Sequence, residues 1–353
     1  MPEHSDEPRV RLKDGPEHHA FLPQIRRLTA QITSGLRVAG YEVHGLIGFG
    51  GMGAVFRGTR TRDGLPVALK FLVQDEEADP RSSMVRFRKQ GEEIRNLSHS
   101  AIVPVLDVFR EMGHNVVVMK LFLGPYGRPV NLTDYSRDFG PANSLLDEQD
   151  MQQIITVVLH TLTHAHDHGI VHCDLKPENI LFQYLKMDDP QHWLADVRIT
   201  DFGLAKIVGE ELLLQSASQS RDTFPTSMLT ATAPPDARAL IGTYEYMSPE
   251  QRRGYPASPY SDIFAVGVMM LRMLTGYTEL GLRMRPSTLR PGLSPDWDDI
   301  IIRAMRESPP QRFASPAELA EAVAGIKLGD TARDSRNEDF KSRTVRLETR
   351  PWD

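Results

Sequence analysis

Cysteine is all but missing from this chain of 353 residues: Cys173 stands alone, so no disulfide can close within it. That fits a reducing compartment, and the fold must be held by its core. No apolar run reaches the roughly 20 residues that a membrane-spanning helix needs, and Met1 to Gly15 is polar and acidic, unlike a secretory signal. Charge of one sign is lacking too: 41 lysines and arginines stand against 47 acidic residues, a net −6 with the signs interspersed. Such a chain has no broad basic field for nucleic acid or an anionic membrane, so neither is expected as a partner. Internal repeats and low-complexity tracts are absent. These absences leave a soluble, cytoplasmic protein as the expectation.

What is present is ordinary globular material, 40% hydrophobic and 25% charged, in a chain long enough for two lobes. Residues 1–20 carry prolines, charges and three histidines and read as disordered. Over 21–36, Leu22, Ile25, Leu28, Ile32 and Leu36 recur at three or four, which predicts an amphipathic helix packing on the domain C-terminal to it. From Tyr41 to about Met119, the runs 43–49, 54–58, 66–73 and 116–121 predict strands, with one helix near 81–97. From about Asp147 onward helical periodicity dominates, as in Met151, Ile154, Ile155, Val158, Leu159 and Leu162. A β-rich lobe followed by a larger helical lobe is an α+β architecture, and the cleft between the two is a natural ligand site. Residues 327–353 alternate charges and predict a flexible tail.

Three constellations carry chemistry. Gly48-Phe49-Gly50-Gly51-Met52-Gly53-Ala54-Val55 is a glycine loop whose backbone can approach phosphate oxygens. Alone it also suits a dinucleotide-binding turn, but a β-rich run follows Gly53 where that fold needs a helix. Val67-Ala68-Leu69-Lys70 lies one hairpin later, where an ammonium can reach the same phosphates. His172-Cys173-Asp174-Leu175-Lys176-Pro177-Glu178-Asn179 places an aspartate, a lysine and an asparagine within six positions. Asp174 can accept a hydroxyl proton, Lys176 can neutralise a transferring phosphoryl group, and Asn179 offers a neutral oxygen to a metal. Asp201-Phe202-Gly203, after an apolar run, offers a hard carboxylate to Mg²⁺. Each piece alone is also read as a charged loop or a turn; their order and spacing together are not.

With these motifs the chain resembles the eukaryotic-like (Hanks-type) Ser/Thr protein kinases, most of all their bacterial branch, over about 41–326. The resemblance continues through Gly242-Thr243 and Met247-Ser248-Pro249-Glu250, with Ser248 in place of the usual alanine. It implies a bilobal fold with an N-lobe over 41–119, a hinge over 120–124 and a C-lobe over 125–326, behind an N-terminal extension over 1–40. It implies an ATP site made by Ile47, the glycine loop, Val55, Ala68, Lys70 and Leu181, with Met119 as gatekeeper and Lys120, Leu121 and Phe122 at the hinge. By the same match Asp174 and Lys176 act in catalysis, and Asn179 and Asp201 hold Mg²⁺, with Mn²⁺ as a substitute. Asp262 matches a buried aspartate opening the central C-lobe helix, and Arg312 matches the arginine that pairs with Glu250. The implied activity is transfer of the γ-phosphate of ATP to Ser or Thr of proteins, including itself through a transient dimer. The alternative is a pseudokinase, an ATP-binding scaffold with little or no catalysis.

Departures from the family pattern are few. Leu97-Ser98-His99-Ser100 fixes a frame in which the usual glutamate partner of the lysine is Gln90. Ile94, four residues on, still supplies the family's apolar spine residue, and Glu93 is a candidate substitute for the lost charge. Cys173 stands where an arginine usually binds a phosphorylated activation segment. A small apolar filler is the expected role, since Asp174 beside it disfavours a reactive thiolate. The segments Phe182 to Asp196 and Asp201 to Glu250 are long, the latter with a Ser/Thr-rich middle from Ser216 to Thr232, either a modification target or a solvated loop. His160, His164 and His168 stand at metal-like spacing, but nothing completes a site and none is expected there.

Overall fold

A computed structural model describes residues 29, 30, 32, 36–50, 52–72, 80–123, 129–139, 145–182, 197–208, 244–279 and 284–328. The expectations placed on 1–20, on the two long insertions, on Gly51 and Thr243, and on the tail beyond Leu328 lie outside the described residues.

The first lobe is a six-stranded antiparallel sheet in the order β1-β2-β3-β4-β6-β5. Its strands are β1 (Leu36–Val38), β2 (Tyr41–Gly50), β3 (Gly53–Arg60), β4 (Pro66–Leu72), β5 (Val105–Glu111) and β6 (His114–Lys120). Register fixes which side chains share a face: Lys70 lies opposite Val55 on β3 and Val117 on β6, and Ala68 opposite Met119. With the alternation of a pleated strand, Val55, Ala68, Lys70 and Met119 point the same way. The hairpin closing β2 and β3 pairs Gly50 with Gly53. Gly53 has φ 142°, and a Cβ there would lie 1.9 Å from the Phe71 carbonyl oxygen, so only glycine fits.

Helix α1 (Pro80–Asn96) opens on proline and lays Phe87 and Ile94 against the sheet. Gly91 lets it come close: a Cβ at that position would sit 2.8 Å from Cγ2 of Val108 on β5. The seam between lobes is stitched by backbone, with Val103 N–H donating to Ile199 O (2.9 Å) and Ile199 N–H to Ala101 O (2.7 Å).

The second lobe is mainly helical. After β7 (Val130–Asn131) and α2 (Leu132–Phe139) comes α3 (Glu148–Asp167), capped by Asp147, whose carboxylate accepts from Asp150 N–H at 2.8 Å. Its buried stripe of Met151, Ile154, Ile155, Val158, Leu159, Leu162 and Ala165 follows the helical period. A short 3₁₀ turn (Pro177–Asn179) leads into β8 (Ile180–Phe182), which joins β7 and β9 (Val197–Ile199) in a three-stranded sheet. Then come α4 (Leu204–Val208), α5 (Pro249–Arg252), α6 (Pro259–Thr275), α7 (Pro286–Leu289), α8 (Asp296–Ala304) and α9 (Pro316–Ala324). Nearly every residue of α6 is buried, which makes it the axis of this lobe. No helix among the described residues is long and apolar enough to cross a membrane.

Three boundaries differ from the sequence reading. Leu36 does not end a helix but opens β1; of the expected helix only Thr29, Ala30 and Ile32 are described, and Ile32 is buried in the first lobe's core. Strand β5 was not expected, because all seven of its residues are half-buried and leave no alternation to read. The ordered fold runs on to Leu328: Lys327 N–H donates to Asp296 at 3.0 Å and Leu328 packs on the core, past the expected end at 326.

Arg312 is buried to 2% exposure and every donor finds an acceptor. Nη1 and Nη2 reach Glu250 at 2.7 Å each, Nε reaches Arg306 O, and the Tyr260 and Glu307 carbonyls take the rest. Burial alone would raise the Glu250 pKa; hydrogen bonding and charge from Arg312 outweigh it and hold the carboxyl below its ordinary 4.5. Arg312→Leu leaves that half-buried carboxylate without its cationic partner, and should lower urea-measured stability by about 2–3 kcal/mol. Because the folded pKa is depressed, the pair stabilises fully above the ordinary value and loses its effect as pH falls through the depressed one. The difference between wild type and variant should therefore shrink in acid.

Candidate active site

The site grows from an irregular loop between α3 and the 3₁₀ turn. Such a loop has no ladder to satisfy its amides, so a side chain must do it. Asp262, at 1% exposure in the first turn of α6, accepts from His172 N–H (2.9 Å) and Cys173 N–H (3.0 Å) through its two oxygens. His166 Nε2 lies 2.8 Å from the same carboxylate. Cys173 is held at φ 70°, a left-handed conformation that costs a non-glycine residue about 1–2 kcal/mol.

The loop presents Asp174 and Lys176 side by side, Nζ to Oδ2 2.8 Å. Burial works against the Lys176 ammonium, yet Asp174, Glu178 and Asp201 together raise its pKa, so it stays charged. Asn179 commits its amide nitrogen to Asp174, at 2.7 Å from the carbonyl and 3.4 Å from Oδ2. That leaves its Oδ1 as the atom it can offer to the cleft.

Opposite stands Asp201, again left-handed at φ 69°. Thr200 O accepts from His172 Nε2 at 2.9 Å and the Phe202 ring rests 4.7 Å from the His172 ring, so the two chain segments are fastened to each other. Lys70 Nζ reaches down from β4 to Asp201 Oδ2 at 2.6 Å, with Met52 Sδ at 4.0 Å. Burial would raise the Asp201 pKa; Lys70, helped by His172 and Lys176, outweighs it and keeps the carboxylate ionised.

Above these groups lies a cleft of about 460 Å³. Of the residues expected to hold a nucleotide, Ile47, Gly48, Phe49, Met52, Gly53, Val55, Ala68, Lys70, Met119, Lys120, Phe122 and Leu181 line it, as do Asp174, Lys176, Asn179 and Asp201. Val103, Pro129, Asn131, Glu178 and Thr200 also line the cleft and were not singled out. Glu178 and Thr200 sit within or beside motifs already recognised, while the other three come from segments with no motif of their own. Lys120 and Arg198 bracket the Phe122 ring, 5.4 and 5.7 Å from its centroid.

The helix α1 brings Ile94 to the site, where a Cβ built on Gly203 would touch its Cδ1 at 3.4 Å. Glu93 does not replace the missing charge: with Ile94 on the buried face, its neighbour Glu93 turns to solvent and is exposed. Gln90 faces inward, yet its Oε1 is buried without a hydrogen-bond partner. Cys173 is buried among Val171, Leu204, Ala205 and Met247, its Sγ 3.4 Å from Val171 O. His164 stacks with His99 and His168, but among the described residues no group of three or more His, Cys, Asp or Glu is placed to hold a metal ion.

Comparison with known proteins agrees with this arrangement. Residues 41–290 match the protein kinase domain family. A probable serine/threonine-protein kinase PknB of Corynebacterium glutamicum is 30% identical over 331 residues, 88% of this chain and 44% of that protein. Serine/threonine-protein kinase PknL of Mycobacterium tuberculosis is 29% identical over 309 residues, 84% of this chain and 67% of that one. Serine/threonine-protein kinase pkn3 of Myxococcus xanthus is 32% identical, with 84% and 51% covered. This chain thus spans less than half of the Corynebacterium relative. Among solved structures, the kinase domain of Mycobacterium tuberculosis PknI superposes with a TM-score of 0.59 over 83% of this chain and 98% of that one, at 22% identity, a likeness of fold. With a family match over most of its length and a kinase fold around the cleft, this chain is a member of the protein kinase family, its similarity lying with bacterial Ser/Thr kinases.

Proposed function

We propose that the chain is an active serine/threonine protein kinase that transfers the γ-phosphate of ATP to protein hydroxyls. The observation that carries this is the convergence of Lys70, Asp174, Lys176, Asn179 and Asp201 on one cleft. A cytoplasmic setting, where ATP is at hand, goes with the reading. Asp201 and the Oδ1 of Asn179 are hard oxygen donors facing one cleft, which fits Mg²⁺, with Mn²⁺ as a substitute. When bound there, the ion would supply neutralisation of phosphate charge.

The chain's own groups have separable tasks. Lys70 supplies a fixed positive charge beneath the glycine loop. Asp174, oriented by Asn179, accepts the proton of the incoming hydroxyl. Lys176, kept cationic by its neighbours, stabilises charge on the phosphoryl oxygens as they transfer. Val55, Ala68 and Leu181 give apolar walls that suit a purine ring, and Met119 lines the cleft between them and the lysine. The Ser/Thr class is supported by Lys176 and by the names of the relatives.

The pseudokinase alternative rests on Gln90. In this chain Lys70 pairs with Asp201, and the Gln90 amide oxygen is buried without a hydrogen-bond partner. An amide in place of a carboxylate forfeits the charge-assisted part of a bond to an ammonium, about 1–2 kcal/mol, or about 5- to 30-fold in rate. A deficit of that size slows an enzyme and does not abolish it.

Assays with radiolabelled ATP and a generic basic protein test the reading. Lys70→Met and Asp201→Asn should each lower transfer by about a hundredfold or more while circular dichroism stays that of the wild type. Near wild-type turnover by Asp201→Asn at saturating magnesium would show the metal site to be elsewhere. Gln90→Glu should raise kcat/KM about 5- to 30-fold and Glu93→Gln should change it little. Since Cys173 offers no charge to a phosphate, phosphatase-treated protein should keep most of its initial rate; a large loss restored by preincubation with ATP would refute that.

A further inference from the structure

The carbonyl of Cys173 belongs to the peptide bond that enters Asp174, and it does not look into solvent. It accepts a hydrogen bond from Nε2 of Gln251 at 3.0 Å. Gln251 is buried and sits on α5, the helix that ends the activation segment. Its Oε1 accepts from Ser248 N–H at 3.1 Å and from Ser248 Oγ at 3.0 Å. Two donors on Oε1 and a carbonyl facing Nε2 fix which way the amide is turned.

The same peptide group is held at its other end. His172 Nε2 donates to Thr200 O, so Nδ1 is left as an acceptor and takes Asp174 N–H at 3.4 Å. Cys173 N–H goes to Asp262. The left-handed Cys173 is thus pinned by Asp262 before it and by Gln251 after it. Two departures from the family pattern, Cys173 and Ser248, meet on this one amide. A link from the loop to the activation segment runs here through Gln251.

We propose that Gln251 is a positioning residue for phosphoryl transfer: by donating to the Cys173 carbonyl it orients the peptide that carries Asp174 and couples the peptide-docking end of the activation segment to the catalytic loop. This rests on the kinase reading. Misplacement of a reacting group by an ångström lowers turnover by about a hundredfold, so loss of one of the two pins should lower kcat by about tenfold or more.

The test separates the donor from the cap. Gln251→Glu keeps both bonds from Ser248 and removes the donor to Cys173; Ser248→Ala removes the hydroxyl and keeps that donor. At about pH 8, Gln251→Glu should lose tenfold or more in kcat with the KM for ATP within about twofold of wild type, and Ser248→Ala should stay within about threefold. Relative to wild type, Gln251→Glu should recover toward about pH 6, where a protonated, buried carboxyl again donates to the carbonyl. Amide hydrogen exchange over 171–175 in nucleotide-free protein should quicken in Gln251→Glu and not in Ser248→Ala. Unchanged kcat and exchange in Gln251→Glu, or equal damage from Ser248→Ala, overturns the proposal and leaves Gln251 a helix cap. A wild-type chain that transfers nothing overturns the kinase reading instead, and the exchange comparison then decides the role of Gln251 by itself.

Discussion

A single buried carboxylate organises the floor of the cleft. Asp262 has almost no contact with water and holds two successive amides of an irregular loop, with an imidazole beside it. A buried carboxylate is costly unless its lone pairs are filled, and an irregular buried backbone is costly unless its amides are; each condition here is met by the other. The axis helix α6 thereby fixes the loop to an almost wholly buried element. From that anchor the order passes outward: His172 ties the loop to Thr200, the next residue is Asp201, and Asp201 receives Lys70 from the sheet above. Two left-handed non-glycine residues, Cys173 and Asp201, sit at the ends of this path, where only a surrounding network keeps such conformations in place.

Two departures from the family pattern, at Cys173 and Gln90, each remove a charge. Where the resemblance places an arginine, Cys173 is buried within the apolar cluster that also holds Leu204, Ala205 and Met247. Where it places a glutamate, Gln90 presents an amide oxygen. Ion pairs respond to phosphorylation and to the arrival of a charged ligand; apolar contacts do not. A loop seated by packing, by the buried Asp262 carboxylate and by the Gln251 amide has its geometry set on folding, which is the physical content of proposing a kinase that does not wait for a phosphate.

Much of this was legible in the chain. The β4 and β6 runs are largely apolar because both faces of those central strands are covered, and the α3 stripe has the helical period. The motif residues are local in sequence and chemically unusual, so Lys70, Asp174, Asn179 and Asp201 could be named before any fold was seen. What stayed hidden was set by tertiary context. Strand β5 has no pattern because each residue is half covered. The helical spacing up to Leu36 persisted by coincidence into a residue that pairs with Val43. Whether Glu93 faced the cleft depended on which neighbour the core claimed, and it claimed Ile94. Gln251 is separated from Cys173 by 78 positions, and nothing in either segment announces the bond.

The position of α1 shows how a kinase-like site can be ordered without its usual ion pair. Van der Waals contact is weak per atom but steep with distance, so a helix seated on a flat patch of β-sheet is located to a fraction of an ångström. Gly91 on Val108 and Ile94 against Gly203 provide two such points, both within four residues of Gln90. They fix the helix along its axis and in rotation, which an ion pair between two flexible side chains does less well. What packing cannot supply is charge at Lys70. That is left to Asp201, a carboxylate the proposed reaction also assigns to the metal, and the partnerless Gln90 oxygen marks where the family's second carboxylate would have stood.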